Sequence, residues 1–202
     1  MSGGSGIGGL PLTPTRFLVA VLIPGIIAVT PWLILLAEQW PVARDFYERY
    51  PVLGNALLLS IVTIVGSVIE GVGSYVESAW DAAREKEFAV VENWHAYLAQ
   101  DSSPEPVGHR YIGRLVTSMY FELGMMISTP VLLGGVIAIG VWAEPRMSSA
   151  SIPILLVIAG AAIWFFLKEA RDSHLALCRV RRELVSRRST KAEVRADHAE
   201  AK

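Results

Sequence analysis

Six ionisable side chains lie in or beside apolar stretches of the chain and are its main candidates for chemistry: Glu70, Glu77, Asp81, His95, Glu122 and His174. A carboxylate just inside a membrane helix is costly to bury, so it usually has a partner, a hydrated cavity or a function. Carboxylate oxygens and imidazole nitrogens also suit Mg, Mn, Fe or Zn ions as ligands. These residue types therefore fit a network of ion pairs, an ion or proton path, or a metal site.

The spacing of three of these carboxylates predicts a polar stripe along one helix. At 100° per residue, Glu70, Glu77 and Asp81 lie within about 40° of one direction. His95 follows on the same line if the helix stays straight. Glu122 begins a different apolar segment that enters the membrane from the same side. We therefore expect one cluster of acidic side chains at a similar depth near the membrane surface.

Four basic residues of neighbouring segments are candidate counter-charges for this stripe: Arg110, Arg114, Lys168 and Arg171. Pairing with them would make the stripe structural, because breaking a buried ion pair strongly destabilises a protein. A stripe that lines a wet vestibule would instead form an ion or proton path. The metal hypothesis ranks third, since the ligand spacings His-x3-His and His-Glu-x-x-His do not occur in the sequence.

Four apolar blocks must position these residues. The 202 residues are 52% hydrophobic, with a mean hydropathy of +0.43, and a spanning helix needs about 20 mostly apolar residues. The blocks predict spans at about residues 17–38, 52–76, 116–142 and 151–168. No proline follows Pro51 before residue 104, so the second span should continue as helix well beyond the membrane. We predict an all-α fold: an integral membrane bundle of four transmembrane helices, two of them extended into a cytoplasmic helical lobe.

The basic residues are distributed asymmetrically around these spans. Fifteen of the eighteen Lys and Arg residues fall on the side that holds both termini and the segment between the second and third spans. The positive-inside rule places that side in the cytoplasm, so we expect an inner or plasma membrane protein with cytoplasmic termini. The predicted organisation is a flexible N-terminus at residues 1–14, a membrane domain at 15–170 that includes a cytoplasmic helical segment at 77–114, and a basic helix and tail at 171–202.

Local features predict how these segments pack. Residues 101–108 are rich in Pro, Ser and Gly and should end the extended second helix. The basic tail is expected to pack against three carboxylates of that helix: Glu85, Glu87 and Glu92. In the third span, Gly124-x3-Ser128 fits the small-residue pattern of closely packed membrane helices. The single cysteine, Cys178, excludes an internal disulfide framework.

These observations favour a small polytopic membrane protein that is a channel-like, transport or signalling subunit. It would work in the lipid bilayer as a homo-oligomer or with a cytoplasmic protein partner, and nucleic acid is not an expected ligand. The alternative is an enzyme that acts on lipid headgroups at the cytoplasmic face, for which a divalent metal ion is the implied cofactor. A purely structural subunit of a membrane complex is the second alternative. The sequence contains no phosphate-binding loop and no Gly-x-Ser-x-Gly, so it identifies no catalytic residue.

Overall fold

A computed structural model describes residues 14–98, 107–142 and 151–200, with side chains at 14–96, 111–142 and 151–186. Its elements are the helices α1 (Pro14–Gln39), α2 (Pro41–Arg49), α3 (Pro51–Phe88), α4 (Val90–Leu98), α5 (Val107–Trp142) and α6 (Ser151–Glu200). Within these ranges α1, α3, α5 and α6 are long and apolar enough to cross a membrane. The prediction of an all-helical fold is therefore confirmed for the described residues, as is the prediction of four helices long and apolar enough to span a membrane.

The four long helices alternate in direction, so that each end of the protein collects residues from all of them. The end that we call the polar end contains Arg16 and residues 70–96, 111–122 and 168–186. The opposite part, the apolar part, contains residues 20–39, 51–69, 124–142 and 151–167. Helix α5 packs along both α6 and α1, and α1 also packs against α3. These neighbours determine which side chains can meet the polar residues of α3.

Small residues bring α1 close to its neighbours in the apolar part. A Cβ atom on Gly66 of α3 would overlap the backbone carbonyl of Val21 in α1. On α5, a Cβ atom on Gly124 would lie 2.8 Å from a ring carbon of Pro24, and Ser128 Oγ donates to the Pro24 carbonyl at 3.0 Å. The pattern Gly124-x3-Ser128 therefore lies at a helix contact, where small residues permit close backbone approach in lipid.

A π turn at Leu18–Leu22 precedes Pro24 within α1. The Ile23 backbone N–H bonds the carbonyl of Leu18, five residues earlier. Pro24 has no backbone N–H and cannot donate a hydrogen bond to the carbonyl of Ala20. The loss of such a backbone hydrogen bond is a common cause of helix irregularity. The wider turn places Ala20 and Val21 in buried positions against the neighbouring helices.

Helix α3 ends earlier than its sequence suggests. It continues beyond the predicted span as far as Phe88, but Ala89 is left-handed at φ 45°, and α4 starts at Val90. The expectation of one continuous helix to residue 100 was therefore wrong. The turn buries both Phe88 and Val90, and Glu85 Oε2 accepts the Val91 N–H at 3.1 Å. Side-chain burial and this new hydrogen bond offset the cost of a left-handed alanine.

Helix α6 crosses the predicted domain boundary at 170/171 without a break. Before Lys168 it exposes large apolar side chains such as Val157, whereas Ala170 and Leu177 beyond Lys168 are buried. The main buried core thus lies at the polar end, where α5 supplies Ile112 and Met119. Residues 1–13, most of the predicted break at 101–108 and the last two residues of the tail lie outside the described residues.

Candidate functional site

Each carboxylate of the predicted stripe on α3 contacts a side chain from a different helix. Glu70 meets α1, Glu77 meets α5 and Asp81 meets α6. The three carboxylates point between the helices because their spacing keeps them on one face of α3. The stripe is therefore a series of interhelical contacts that follow one another along α3 at the polar end.

Arg16 of α1 is the counter-charge of Glu70. Its Nη2 lies 3.8 Å from Glu70 Oε1, and the two side chains are 11% and 22% exposed. The guanidinium also lies over the ring of Tyr120, 5.1 Å from its centroid. A cation so placed lowers the cost of a carboxylate near the membrane interior.

Three of the four predicted counter-charges form no ion pair with the stripe among the side chains that the structure describes. Arg114 is exposed, Lys168 and Arg171 lie at the surface of α6, and the side chain of Arg110 lies outside the described ones. Arg16 was not among the predicted counter-charges, because the first span was not considered as a source of partners. Its charged start, at Arg16, lies at the same end of the protein as the stripe.

Glu77 is held by a tyrosine of α5. The Tyr120 hydroxyl donates to Glu77 Oε2 at 2.5 Å, and the Tyr120 residue is 7% exposed. A hydroxyl bond to a carboxylate is among the stronger protein hydrogen bonds at such a distance. Since Arg16 lies over the same tyrosine ring, Tyr120 links the contacts of Glu70 and Glu77.

Asp81, His174 and Arg84 form a chain of hydrogen bonds between α3 and α6. His174 Nε2 is 2.7 Å from Asp81 Oδ1, and its Nδ1 is 2.6 Å from Arg84 Nη1. Arginine has no acceptor, so Arg84 must donate to Nδ1, and Nε2–H must then donate to Asp81. These two distances correspond to a neutral imidazole with its proton on Nε2. His174 is 1% exposed, and Trp80 packs edge-on against its ring.

Glu122 and His95 do not join this series. Glu122 accepts hydrogen bonds from Ser118 of its own helix at 2.8 Å and from Ser173 of α6 at 2.9 Å. It lies two residues after Tyr120, so the two side chains point to nearly opposite sides of α5. His95 is exposed on α4, beyond the break in the helix. The expected single acidic cluster is therefore divided between two interfaces.

Asp81, His174 and Cys178 offer oxygen, nitrogen and sulfur atoms that all lie within 4.8 Å of one another. Zinc and similar metals bind such donors at about 2.0–2.3 Å. In this arrangement Asp81 faces Nε2 of the ring, whereas Cys178 Sγ is 4.0 Å from Nδ1, which Arg84 already occupies. A metal ion would have to displace the Arg84 guanidinium, so the residues as arranged fit a hydrogen-bond chain better than a metal centre.

Two arginines in the basic part of α6 contact aromatic rings of the segment that holds the predicted carboxylates. The Arg181 guanidinium lies 4.1 Å from the ring centroid of Trp94, and that of Arg182 lies 4.8 Å from that of Phe88. Arg182 Nη1 also donates to the backbone carbonyl of Glu87 at 3.4 Å. Arg181 and Arg182 thus pack against the predicted helix segment through cation–π contacts, and Arg182 also through a carbonyl oxygen.

Several residues of the site were missed in the sequence. Arg84 is three residues from Asp81 on the same helix face, so the 100° rule would have found it had basic residues been included. Tyr120 is a polar-tipped aromatic in an apolar segment, and such residues seek a partner when buried. Nothing local to Ser173 or Cys178 indicates their position, which depends on how α6 packs.

The contacts of the polar end therefore join α1, α3, α5 and α6 through ionisable and hydroxyl side chains. The single cysteine, Cys178, is buried beside this network. Comparisons with protein-family models, with curated proteins and with solved structures found no match to this chain. The function must then be inferred from these contacts alone.

Proposed function

We propose that the protein is a non-enzymatic membrane signalling subunit, in which α3 couples a four-helix membrane bundle to a helical lobe in the cytoplasm. The observation that carries this proposal is the succession of partners along α3. Glu70, Glu77 and Asp81 are bonded in turn to α1, α5 and α6. A displacement of any of these helices would change a contact of α3, and α3 leads directly into α4.

The same contacts favour signalling over an ion path. A conducting stripe needs carboxylates that face water, either in a vestibule or about an oligomer axis. Here the Asp81 and Glu70 side chains are only 13% and 22% exposed, and each is directed at a partner. Interhelical partners of this kind suit an element with two discrete arrangements, which is what transmission between distant sites requires.

The charge distribution supports the orientation of this subunit. The polar end carries the excess of Lys and Arg, so we place it and both termini in the cytoplasm, in an inner or plasma membrane. The exposed apolar faces of α3 and α6, with residues such as Ile64 and Val157, would contact lipid or a second copy of the chain. A homo-oligomer or a cytoplasmic protein partner would receive the signal.

Hydrogen exchange of the full-length protein in lipid nanodiscs tests the coupling. Glu70 is about 27 Å from Phe88, the last residue of α3, at 1.5 Å per residue. Glu70→Gln removes the charge that Arg16 meets, and we expect faster amide exchange in α4 as well as near Glu70. Glu38→Gln, which changes an exposed carboxylate of α1, is the matched control.

Two outcomes would contradict the proposal. If faster exchange after Glu70→Gln stays within α1 and the adjacent turns of α3, the contact is structural and transmits nothing to α4. If the reconstituted protein conducts protons or cations and Glu70→Gln abolishes the flux, the stripe is an ion path instead. Signalling requires coupled exchange together with flux no greater than that of protein-free liposomes.

A further inference from the structure

A cleft of about 430 Å³ lies between α3 and α6 at the polar end. It is lined by three basic residues, one acidic residue and two apolar ones: Arg84, Lys168, Arg171, Asp172, Trp164 and Leu167. The cations come from two helices, so the cleft exists only because α3 and α6 meet here. Asp172 reduces the formal charge of the lining, which stays positive.

The basic side chains of the cleft are positioned by other contacts. Lys168 Nζ lies over the ring of Trp164, 5.9 Å from its centroid. Arg84 is fixed by its hydrogen bond to His174 Nδ1, which occupies only one of its five N–H donors. Lys168 and Arg171 form no ion pair with another side chain that the structure describes. The cleft therefore presents three cations, of which Arg84 and Lys168 are oriented by other contacts, and no carboxylate that the structure describes lies at salt-bridge distance from any of them.

The cleft lies where α6 changes from apolar to charged. Residues 151–167 carry no charge, and at 1.5 Å per residue they rise about 25 Å, close to the thickness of a hydrocarbon core. Lys168 is the first charged residue after them. Trp164 is 66% exposed one turn earlier, as is typical of a side chain at the membrane–water interface. The level of the cleft therefore matches that of lipid headgroups.

We propose that this cleft binds the phosphodiester headgroup of an anionic phospholipid. Arg84 and Arg171 would donate to the phosphate oxygens, since a guanidinium fits phosphate with paired N–H bonds, and Lys168 would add a point charge. Trp164 and Leu167 would contact the glycerol and the first carbons of the acyl chains. A free phosphate ion carries the same charged group, but it has no apolar atoms that could contact Trp164 and Leu167.

Lipid binding to the purified full-length protein tests the site. In detergent with a constant background of dioleoylphosphatidylcholine, we expect dioleoylphosphatidylglycerol to raise the thermal midpoint and to be retained in native mass spectra. Arg171→Gln should weaken phosphatidylglycerol binding about fivefold, and Lys168→Gln/Arg171→Gln about 25-fold, at the usual strength of one basic residue near a membrane surface. Arg84 is left unchanged because its substitution would also disturb His174.

The matched control is Arg179→Gln, which removes another exposed arginine about two turns further along α6. We expect it to leave phosphatidylglycerol binding within twofold of the wild type. Equal weakening by Arg179→Gln and Arg171→Gln would overturn the site, because the attraction would then be diffuse. Equal retention of phosphatidylcholine and phosphatidylglycerol would overturn it as well. If inorganic phosphate or glycerophosphoglycerol displaces the lipid at equal concentration, the apolar contacts contribute nothing and the lipid assignment fails.

Discussion

The apolar part and the polar end of this protein hold their helices together in different ways. In the apolar part, α1 approaches α3 and α5 through glycine and proline, with Gly66 against the Val21 carbonyl and Gly124 against Pro24. At the polar end, the helices are joined by side chains such as Tyr120 and His174, each bonded to a carboxylate of α3. One region depends on close backbone approach, and the other on individual hydrogen bonds.

The difference follows from the surroundings of each region. Lipid tails are as apolar as a leucine side chain, so helices in the membrane gain mainly from close packing. Where helices leave the hydrocarbon, apolar burial becomes favourable, and the core of Trp94, Ile112 and Leu177 forms there. At the polar end, hydrogen bonds between polar side chains determine which helix faces pack together. We therefore expect added volume to damage the apolar part and lost hydrogen bonds to damage the polar end.

The substitution Gly66→Leu tests the close contact of α1 with α3. The new side chain would overlap the Val21 carbonyl, and a backbone atom cannot move aside as a side-chain tip can. We expect a loss of about 3 kcal/mol or more in the free energy of unfolding. Thermal unfolding in detergent, followed by circular dichroism, measures this loss as a lower midpoint.

Gly71→Leu is the control for this experiment, because no atom lies within 4 Å of a Cβ added at Gly71. We expect Gly71→Leu to be neutral or slightly stabilising, since leucine has a better helix propensity than glycine. Equal midpoints for the two variants would mean that α1 does not depend on close approach to α3.

His174→Ala tests the hydrogen-bond chain of the polar end. The substitution removes the partners of both Asp81 and Arg84 and leaves a cavity beside Trp80. We expect a loss of about 2 kcal/mol, since each charged group left without its partner costs free energy. Chemical denaturation in detergent gives the value, and His95→Ala, which changes an exposed histidine, should cost less than about 0.5 kcal/mol. A similar loss for both variants would contradict the proposed importance of the chain.

The sequence predicts the elements of this fold well and their ends less well. The spans follow from the length and hydropathy of the apolar blocks, which tertiary contacts hardly affect. The end of α3 at Phe88 could not be predicted, because Ala89 is a good helix former and no Gly or Pro marks the turn. The break depends on the burial of Phe88 and Val90 against α6, and this is a tertiary effect.

The candidate site was predictable in its carboxylates but not in its partners. Helical spacing was enough to align Glu70 with Asp81, because both lie on one uninterrupted helix. Arg16 is distant in sequence, and only the packing of α1 beside α3 brings it to Glu70. Glu122 is two residues from Tyr120, so the two side chains lie on different faces of α5. That spacing separates Glu122 from the stripe only once Tyr120 is known to contact Glu77.

Tyr120→Phe tests a single hydroxyl of the polar end while it keeps the ring over which Arg16 lies. Glu77 would lose its donor at 2.5 Å, and we expect a loss of about 1–2 kcal/mol in the free energy of unfolding. The loss should be measured by the same denaturation. Tyr75→Phe on α3 is the control, because Tyr75 is 79% exposed, and we expect no measurable change. If the two variants cannot be distinguished, the bond between Tyr120 and Glu77 does not contribute to stability.

The two serines that donate to Glu122 separate contacts within a helix from contacts between helices. Ser173→Ala removes a bond between α6 and α5, whereas Ser118→Ala removes one within α5. Each should cost about 0.5–1 kcal/mol, because the other serine still donates to the carboxylate. The double variant should cost more than the sum, since Glu122 then loses both donors in a partly buried position.

Hydrogen exchange distinguishes the two single variants even if their stabilities are alike. Ser173→Ala should increase exchange in both α5 and α6, because the bond that joins them is lost. Ser118→Ala should affect α5 alone. If both serines act only on α5, the Glu122 contact does not join the helices, and the packing of α6 on α5 at the polar end would depend on apolar contacts such as that of Ile112 and Leu177.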